Sequence, residues 1–557
     1  MCQKIFKIGV ADFETTTDPN DCRVWAWAIA DVENQQISCI GDNITDFINQ
    51  MFAYDRLYFH NLKFDASFII DYLLKNGWLY NQDARKLDSY QFSILRSDKN
   101  VMYSMTIKNK TKKLEIYDSL KLLPFSVSSL AKSFNLKLSK LEIDYNEYRP
   151  VGHKLTQLEI DYISADVLIV AQVLKIMLDD GMSKMTIGGN AMDRFRQTIP
   201  SKLQAELFPK IPLEADKYLR KSYKGGFTWV NPLFKEQDVG FGLVYDNNSM
   251  HPSQLRYKPM PVGLPEFYTG KYQYDSEYPL YVQKIVLSCK IKHNHIPCIN
   301  TEHSFGYMDA EYLTETNQLE LVVTSVDLKL IFDQYDILNI IYVDGFKFKS
   351  KTGLFNQYID KYIKIKAESK GAQRQIAKLM LNNIYGKFGT RLDQISVEPY
   401  LDNGVVKYRK IEQQNQAKPE YLPIAIFTTA YSRDTVIRAG QPLYNRLCYV
   451  DTDSLHIIGL DVPDLDIHPT RLGAWDNEST FVKARFLRCK RYIEYTIDPD
   501  ADDIIIKQNV KCGGMPDNVK QQVTWDNFHR GSVFSGKLMP KTVAGGIVLV
   551  ETTYKMT

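Results

Sequence analysis

Cysteine is sparse in this 557-residue chain, and what there is lies scattered. Cys2, Cys22, Cys39, Cys289, Cys298, Cys448, Cys489 and Cys512 form no CxxC pair. That pattern argues against a zinc site. In a chain this long it also argues against a disulfide framework, so reduced thiols in a cytosol are expected. No apolar run reaches about 18 residues, so no membrane span is expected. The opening MCQKIFKIGVADFETT lacks the apolar stretch of a secretory signal. Internal repeats and low-complexity segments are missing too. Net charge is only +3, which by itself announces no polyanionic partner. A single hydrophobic core is excluded by length, and two or more folded units are expected.

Aromatic residues are plentiful, at 12% with 35 tyrosines. Such rings stack on bases, and equally they fill cores. Charge is uneven along the chain. Between Lys361 and Arg391 stand eight Lys or Arg and one acid, Glu368, and the tail from Lys511 is also basic. Several acids gather instead in short motifs. A basic track for phosphates beside an acidic pocket for metal needs this separation.

Residues 1 to about 190 alternate short apolar strands (7–11, 56–59, 114–117) with helical stretches (157–178), which predicts an α/β unit. A Gly- and aromatic-rich stretch, 223–232, reads as a linker or hinge, and 240–245 reads as a strand running into Asp246. A mixed stretch follows to about 355, then one strong helix from about 356 to 385. Around 447–460 the pattern is a β-hairpin with acids at its turn, and a basic, Gly-containing segment closes the chain.

Asp12 and Glu14 stand two apart in VADFETT. On a strand they share a face and could share a hard cation, which takes oxygen ligands. Alone the pair reads more readily as a solvated edge strand, since a lone DxE is a common chance match. Asp65 follows an apolar strand in FHNLKFDASFI, and Asp166 lies four residues after Tyr162 in YISADVLIV, on one helical face. Four such acids would suit two metals roughly 3.5–4 Å apart, activating a water that Tyr162 orients. A second set centres on Tyr449-Val450-Asp451-Thr452-Asp453-Ser454, where two acids sit at a hairpin tip between apolar strands. Like charges crowd there, which a cation relieves. Asp246 in LVYDNNSMHP ends another apolar strand and supplies a third acid. In QRQIAKLMLNNIYGKFG, Arg374, Lys378, Asn382 and Tyr385 share one helical face opposite Ile376, Leu379 and Leu381. A solvated amphipathic face would explain the two cations but not the large Tyr385 followed by Gly386.

DxE, NxxxD and YxxxD in this order resemble the DEDDy 3′–5′ exonucleases of proofreading polymerases, and Asp246 with Asp451 and Asp453 resembles motifs A and C of family B DNA polymerases. KLMLNNIYG resembles motif B of the fingers, Lys490-Arg491-Tyr492 the KxY motif, and Tyr223-Lys224-Gly225-Gly226 the YxGG motif. Across the whole chain the resemblance is to the protein-primed family B polymerases of φ29-type bacteriophages, through FHNLKFD, IYDSLKLLPF, YKGGFTW, KTGLFNQYIDK, KLMLNNIYGKFG, YVDTDS and VKCGGM. The implied fold is α/β and multidomain. An RNase H-like exonuclease (1–187) precedes a right-hand polymerase: first palm part with motif A (188–256), palm continuation (257–355), fingers (356–388), palm with motif C and KxY (423–512) and thumb (513–557). Two insertions, about 299–353 and 389–422, would respectively contact a priming protein and help close a ring around DNA.

The resemblance also implies roles. Asp12, Glu14, Asp65 and Asp166 would bind two Mg²⁺ ions, with Mn²⁺ as a substitute. Asp246, Asp453 and the backbone carbonyl of Asn247 would bind two more, with Asp451 close by. His60, Asn61, Phe64, Ser119 and Leu120 would line the path of a single-stranded 3′ end, although core packing explains Phe64 as well. Lys140 would assist the nuclease. Lys366, Arg374, Lys378, Asn382, Tyr385 and His251 would hold the incoming dNTP. Tyr223, Gly225, Gly226, Thr452, Lys490 and Tyr492 would contact primer-template DNA. His251 departs from the family, which has Tyr at this sugar gate, so weaker exclusion of ribonucleotides is expected. The implied protein is a processive, strand-displacing, protein-primed replicase of a linear viral genome. It would be a monomer, working with a terminal protein in the cytoplasm of a bacterial host. A linear-plasmid replicase and a stand-alone nuclease with a degenerate polymerase part are the alternatives. A reverse transcriptase would leave the first acid set unexplained, and a non-enzymatic DNA-binding protein would need neither set.

Overall fold

The computed structural model describes residues 6–97, 100–145, 147–300, 312–390, 396–411, 420–497 and 505–557. Parts of both expected insertions (301–311, 391–395 and 412–419) lie outside the described residues.

The N-terminal α/β pattern folds as an eight-stranded mixed sheet. Its Ile8–Thr15 strand runs antiparallel to Val24–Asp31 and parallel to Arg56–Phe59. The strand VWAWAIAD is buried throughout, as a strand covered on both faces must be. Helix Gln157–Asp179 packs on this sheet. It starts at a capping box in which the Thr156 side chain and the Glu159 side chain each bind the other's backbone N–H, satisfying donors that a helix start leaves open.

A second eight-stranded sheet carries the hairpin of Leu447–Asp451 and Ser454–Ile458, with Gly242–Asn247 beside it and Trp475–Arg488 beyond. The expected strand at 240–245 therefore reaches past Asp246, which pairs with Ser454. The stretch 223–232 is not a free linker. Thr228–Val230 is the edge strand of this sheet, in register with Tyr449–Asp451, and the Asn231 side chain donates to the carbonyls of Tyr444 and Leu447. The mixed stretch holds a four-stranded antiparallel sheet ordered Met260–Thr269, Tyr335–Lys351, Leu280–Ile291, Glu315–Thr324.

The single helix expected over 356–385 is two helices, Asn356–Glu368 and Gly371–Phe388. The break falls at Ser369-Lys370, where the backbone is extended, and Gly371 takes φ +56°. Left-handed backbone suits glycine, so the stop was written in the sequence although the apolar period runs through it. One apolar core joins the two halves of the chain, from Ile163, Val167 and Val170 through Ile376 and Met380 to Ile424 and Phe427.

The hairpin Ser396–Asp402/Val405–Ile411 bridges other parts. Val397 and Val406 join the core of the N-terminal sheet, Arg96 lies 3.5 Å over the Tyr408 ring, and Val405 bridges to Ala544. The C-terminal hairpin Val533–Val543/Gly546–Lys555 docks by its tip on the first unit. Gly545 N–H donates to Asp71, and a Cβ at Gly545 would lie 2.1 Å from the Cys22 carbonyl oxygen. Among the described residues no helix is long and apolar enough to cross a membrane.

Candidate active sites

The first acid set converges on one cavity of about 640 Å³. Strand alternation aims Asp12 and Glu14 into it, the helix Leu62–Lys75 supplies Asp65, and Gln157–Asp179 supplies Tyr162 and Asp166. His60, Asn61, Phe64 and Lys140 line it as well. Ser119 and Leu120 do not. Ser119 is fully buried behind the wall, donating to the Phe59 carbonyl and meeting His60 Nδ1 at 3.0 Å, and the Leu120 N–H binds Asp118. Lys140 Nζ pairs with Asp166 Oδ2 at 2.5 Å.

Burial is the main force on these acids. It raises Asp12 to about 7, helped by the nearby Asp166 charge. Glu14 and Asp65 are pushed well above the usual carboxylate range, by burial first and Asp12 second. Asp166 rises by burial against the opposing pull of Lys140. Asp65 Oδ1 and Asp166 Oδ1 are buried with no hydrogen-bond partner.

Several cavity residues escaped sequence reasoning, among them Tyr145 and three from the C-terminal hairpin. Tyr145, on the loop after Lys140, hydrogen-bonds the Tyr162 hydroxyl. Leu538, Leu549 and Glu551 come from the C-terminal hairpin and close one side. No local motif marks these three hairpin residues, because 372 to 385 residues separate them from Asp166 in sequence.

The second acid set lines a groove of about 690 Å³ with Thr452, Lys490, Tyr492 and Glu478. Asp246 is raised to about 8 by burial, then by Asp453 and Glu478, with Lys366 opposing. Asp453 is raised to about 6 by burial, then by Asp451. Lys490 pairs with Asp451. Asn247 is fully buried; its N–H donates to the Asp453 carbonyl at 2.8 Å, and its Oδ1 has no partner. Glu478 and Glu494, which no motif flagged, line the same groove.

The glycines at 225–226 have different tasks. A Cβ at Gly226 would sit 2.7 Å from Thr452 Cγ2, whereas Gly225 has open space. Gly226 thus lets its loop lie against the acidic turn. Arg433, also unflagged, holds this loop by donating to the Lys224 and Gly225 carbonyls while paired with Asp327 at 2.8 Å.

Facing Asp246 is a cationic wall. Burial, then Arg374 and Lys378, pulls Lys366 down; Lys366 Nζ meets Ser249 Oγ at 3.0 Å, and Arg374 donates to the Lys366 carbonyl. Arg374, Lys378 and Asn382 are exposed along one face, while Ile376, Leu379 and Leu381 are buried as expected. Tyr385 stacks flat on His251, with centroids 4.2 Å apart and planes at 3°. Burial drops His251 to about 4, so its ring is neutral. A Cβ at Gly389 would lie 2.5 Å from the Tyr223 hydroxyl, which sets this end of the 223–226 loop against the end of the helix.

Among the described residues no three His, Cys, Asp or Glu side chains chelate an ion as they stand. The donor chemistry nonetheless fits a hard divalent cation at both sites. Each has buried, like-charged oxygens with raised proton affinity, and unpartnered oxygens at Asp65, Asp166 and Asn247.

The family model "DNA polymerase type B, organellar and viral" matches residues 49–151 and 139–471. The DNA polymerase of Bacillus phage M2 is 40% identical over 100% of both chains. The chain belongs to the type B DNA polymerases. Two solved structures of φ29 DNA polymerase are similar to it throughout. The complex with primer-template DNA has a TM-score of 0.94 at 39% identity, covering 99% of this chain and 100% of that one. The complex with single-stranded DNA has a TM-score of 0.93 at 39% identity, with the same coverage. The sequence expectation of a φ29-type polymerase with an α/β, multidomain fold is thereby borne out.

Proposed function

We propose that this polymerase extends a DNA 3′ end in the Asp246–Asp453 groove and edits it in the Asp12–Asp166 cavity. The observation that carries this is the separation of the two acid sets, one built around each eight-stranded sheet and each lining its own cavity. Cations bound there, Mg²⁺ at two per site, would make the attacking hydroxyl or water more acidic and neutralise charge on the phosphoryl oxygens.

In the groove Asp246 and Asp453 hold the metals, with the Asn247 carbonyl as a further oxygen and Asp451 close by. Arg374, Lys378, Lys366 and Asn382 take the triphosphate. Tyr385 and His251 present a flat, neutral stack to the base and sugar. Tyr223, Gly225, Gly226, Thr452, Lys490 and Tyr492 seat the primer-template. In the cavity Asp12, Glu14, Asp65 and Asp166 hold the metals, Tyr162 orients the water, and Lys140 steadies Asp166. His60, Asn61 and Phe64 guide a single-stranded 3′ end, with Ser119 and Leu120 supporting from behind. On this reading the exonuclease spans 1–187, the palm 188–355 and 423–512 with insertions at about 299–353 and 389–422, the fingers 356–388 and the thumb 513–557.

The φ29-type likeness supports a protein primer, strand displacement and action as a monomer in the cytoplasm of a bacterial host. The bridging hairpin at 396–411 suits closure around DNA. Primer extension in Mg²⁺ tests the two-site assignment. Asp12→Ala should abolish 3′ degradation and spare synthesis, and Asp453→Ala should do the reverse. Equal loss of both activities in both variants would refute it.

A further inference from the structure

The wall of the polymerase groove also holds a buried polar pair that neither acid set uses. His456 and Glu494 are 2% and 1% exposed. They stand on Ser454–Ile458 and Arg491–Ile497, with two strands between them in the sheet. Contact across that gap needs the sheet to curl, because neighbouring strands lie about 4.8 Å apart. Glu494 Oε1 meets His456 Nδ1 at 2.6 Å, and Glu494 Oε2 accepts from Asn509 Nδ2 at 3.3 Å. With Glu494 as a carboxylate, which can only accept, Nδ1 is the donor in this contact and the ring is oriented by it. That leaves Nε2 facing Ser454 Oγ at 3.4 Å.

Three features of the groove meet at this pair. Ser454 directly follows Asp453 and pairs with Asp246 across the sheet. The Tyr492 ring packs on the imidazole at 5.2 Å, at 68°. Tyr449, at 5.2 Å from the same imidazole, accepts the Lys490 N–H at 2.8 Å through its hydroxyl. Buried polar groups of this kind stay only when satisfied, and then they fix a single arrangement.

We propose that the Glu494–His456 pair is a positioning device for the primer 3′ end, setting the floor under Tyr492 and the strand that follows Asp453. This rests on the assignment of Lys490 and Tyr492 to the primer terminus. His456 and Glu494 act through those residues and do not touch the reacting atoms. A 3′ end that is poorly gripped leaves the groove and becomes available to the Asp12 cavity, so the balance of synthesis and degradation reports on the pair.

The full chain is assayed on primer-template DNA with Mg²⁺ and dNTPs, reading dNMP released per dNTP incorporated. His456→Phe and Glu494→Met should each raise this ratio about tenfold, the loss of one buried hydrogen bond. Glu494→Gln should restore it, since an amide oxygen still accepts from Nδ1. Degradation of a single-stranded oligonucleotide should stay within about twofold of the unaltered chain, which a general loss of folding would not allow. If His456→Phe does not fold, Glu494→Met against Glu494→Gln carries the comparison. An unchanged ratio in Glu494→Met, or no rescue by Glu494→Gln, overturns the proposal. Tyr492→Ala separates the two levels. If it leaves the ratio unchanged, the primer-end assignment has failed; if it raises the ratio while the His456 and Glu494 variants do not, the pair alone has been misread.

Discussion

Gly226→Ala should slow synthesis by roughly 30- to 100-fold while leaving the nuclease intact. The added methyl would stand 2.7 Å from Thr452 Cγ2, where ordinary contact begins at 3.4 Å, so something must move by 3.4 − 2.7 = 0.7 Å. Thr452 has little freedom to yield alone. Its backbone is left-handed at φ +67°, its N–H binds the Phe227 carbonyl at 2.7 Å, and the next N–H, of Asp453, binds the Asp451 carbonyl at 2.7 Å. The displacement therefore passes to the turn that holds both acids. A misplacement near 1 Å costs on the order of 100-fold when reacting groups must be aligned. Overpacking of this size should also cost about 1–3 kcal/mol of stability. Rapid-quench addition of a single nucleotide, at saturating dNTP, measures the effect, with hydrolysis of a single-stranded oligonucleotide as internal control. Extension within about threefold of the unaltered chain, or an equal fall in both activities, would refute the reasoning.

Two further outcomes follow from the electrostatics and the stacked pair. Asp12, Asp246 and Asp453 have folded-state values raised to about 7, 8 and 6. Their stabilising contribution is therefore complete below the unfolded value near 3.9 and is lost as pH rises through 6 to 8. In chelator the melting temperature should fall across that window. Added Mg²⁺ should restore it increasingly towards pH 8, and a Mg²⁺ effect that does not grow with pH would count against these acids as its ligands. At the nucleotide, His251→Tyr should tighten exclusion of ribonucleotides by about tenfold, ~1.4 kcal/mol, because a larger ring on the Tyr385 stack narrows the space for a 2′-hydroxyl. The ratio of dNTP to rNTP incorporation efficiency measures it, and equal selectivity in the two proteins would show that the imidazole already fills the gate.

Most of the machinery was legible because chemistry needs particular residue types at fixed local spacing. The period of two placed Asp12 with Glu14. The period of 3.6 placed Tyr162 with Asp166, and Arg374 with Lys378. The apolar runs on either side of Asp451–Asp453 announced the hairpin. Where local punctuation and apolar period disagreed, the period misled: the break at Ser369-Lys370 with Gly371 divides what reads as one helix. The stretch 223–232 reads as a linker or hinge from its glycine- and aromatic-rich composition. In the fold Gly226 provides closeness to Thr452, and Thr228–Val230 completes a sheet.

By itself, then, the sequence determined which residues can do chemistry and which neighbours share a face with them, since both depend on side-chain type and backbone period alone. Tertiary structure decided what surrounds them. It brought Leu538, Leu549 and Glu551 to the nuclease cavity, Glu478 to the polymerase groove, Arg433 to the 223–226 loop and Glu494 to His456. It also set the proton affinities, because these follow from burial and from charges brought close by the fold. Contacts between residues tens to hundreds of positions apart leave no local spacing to read. They exist only once the sheets have curled and the hairpins have docked.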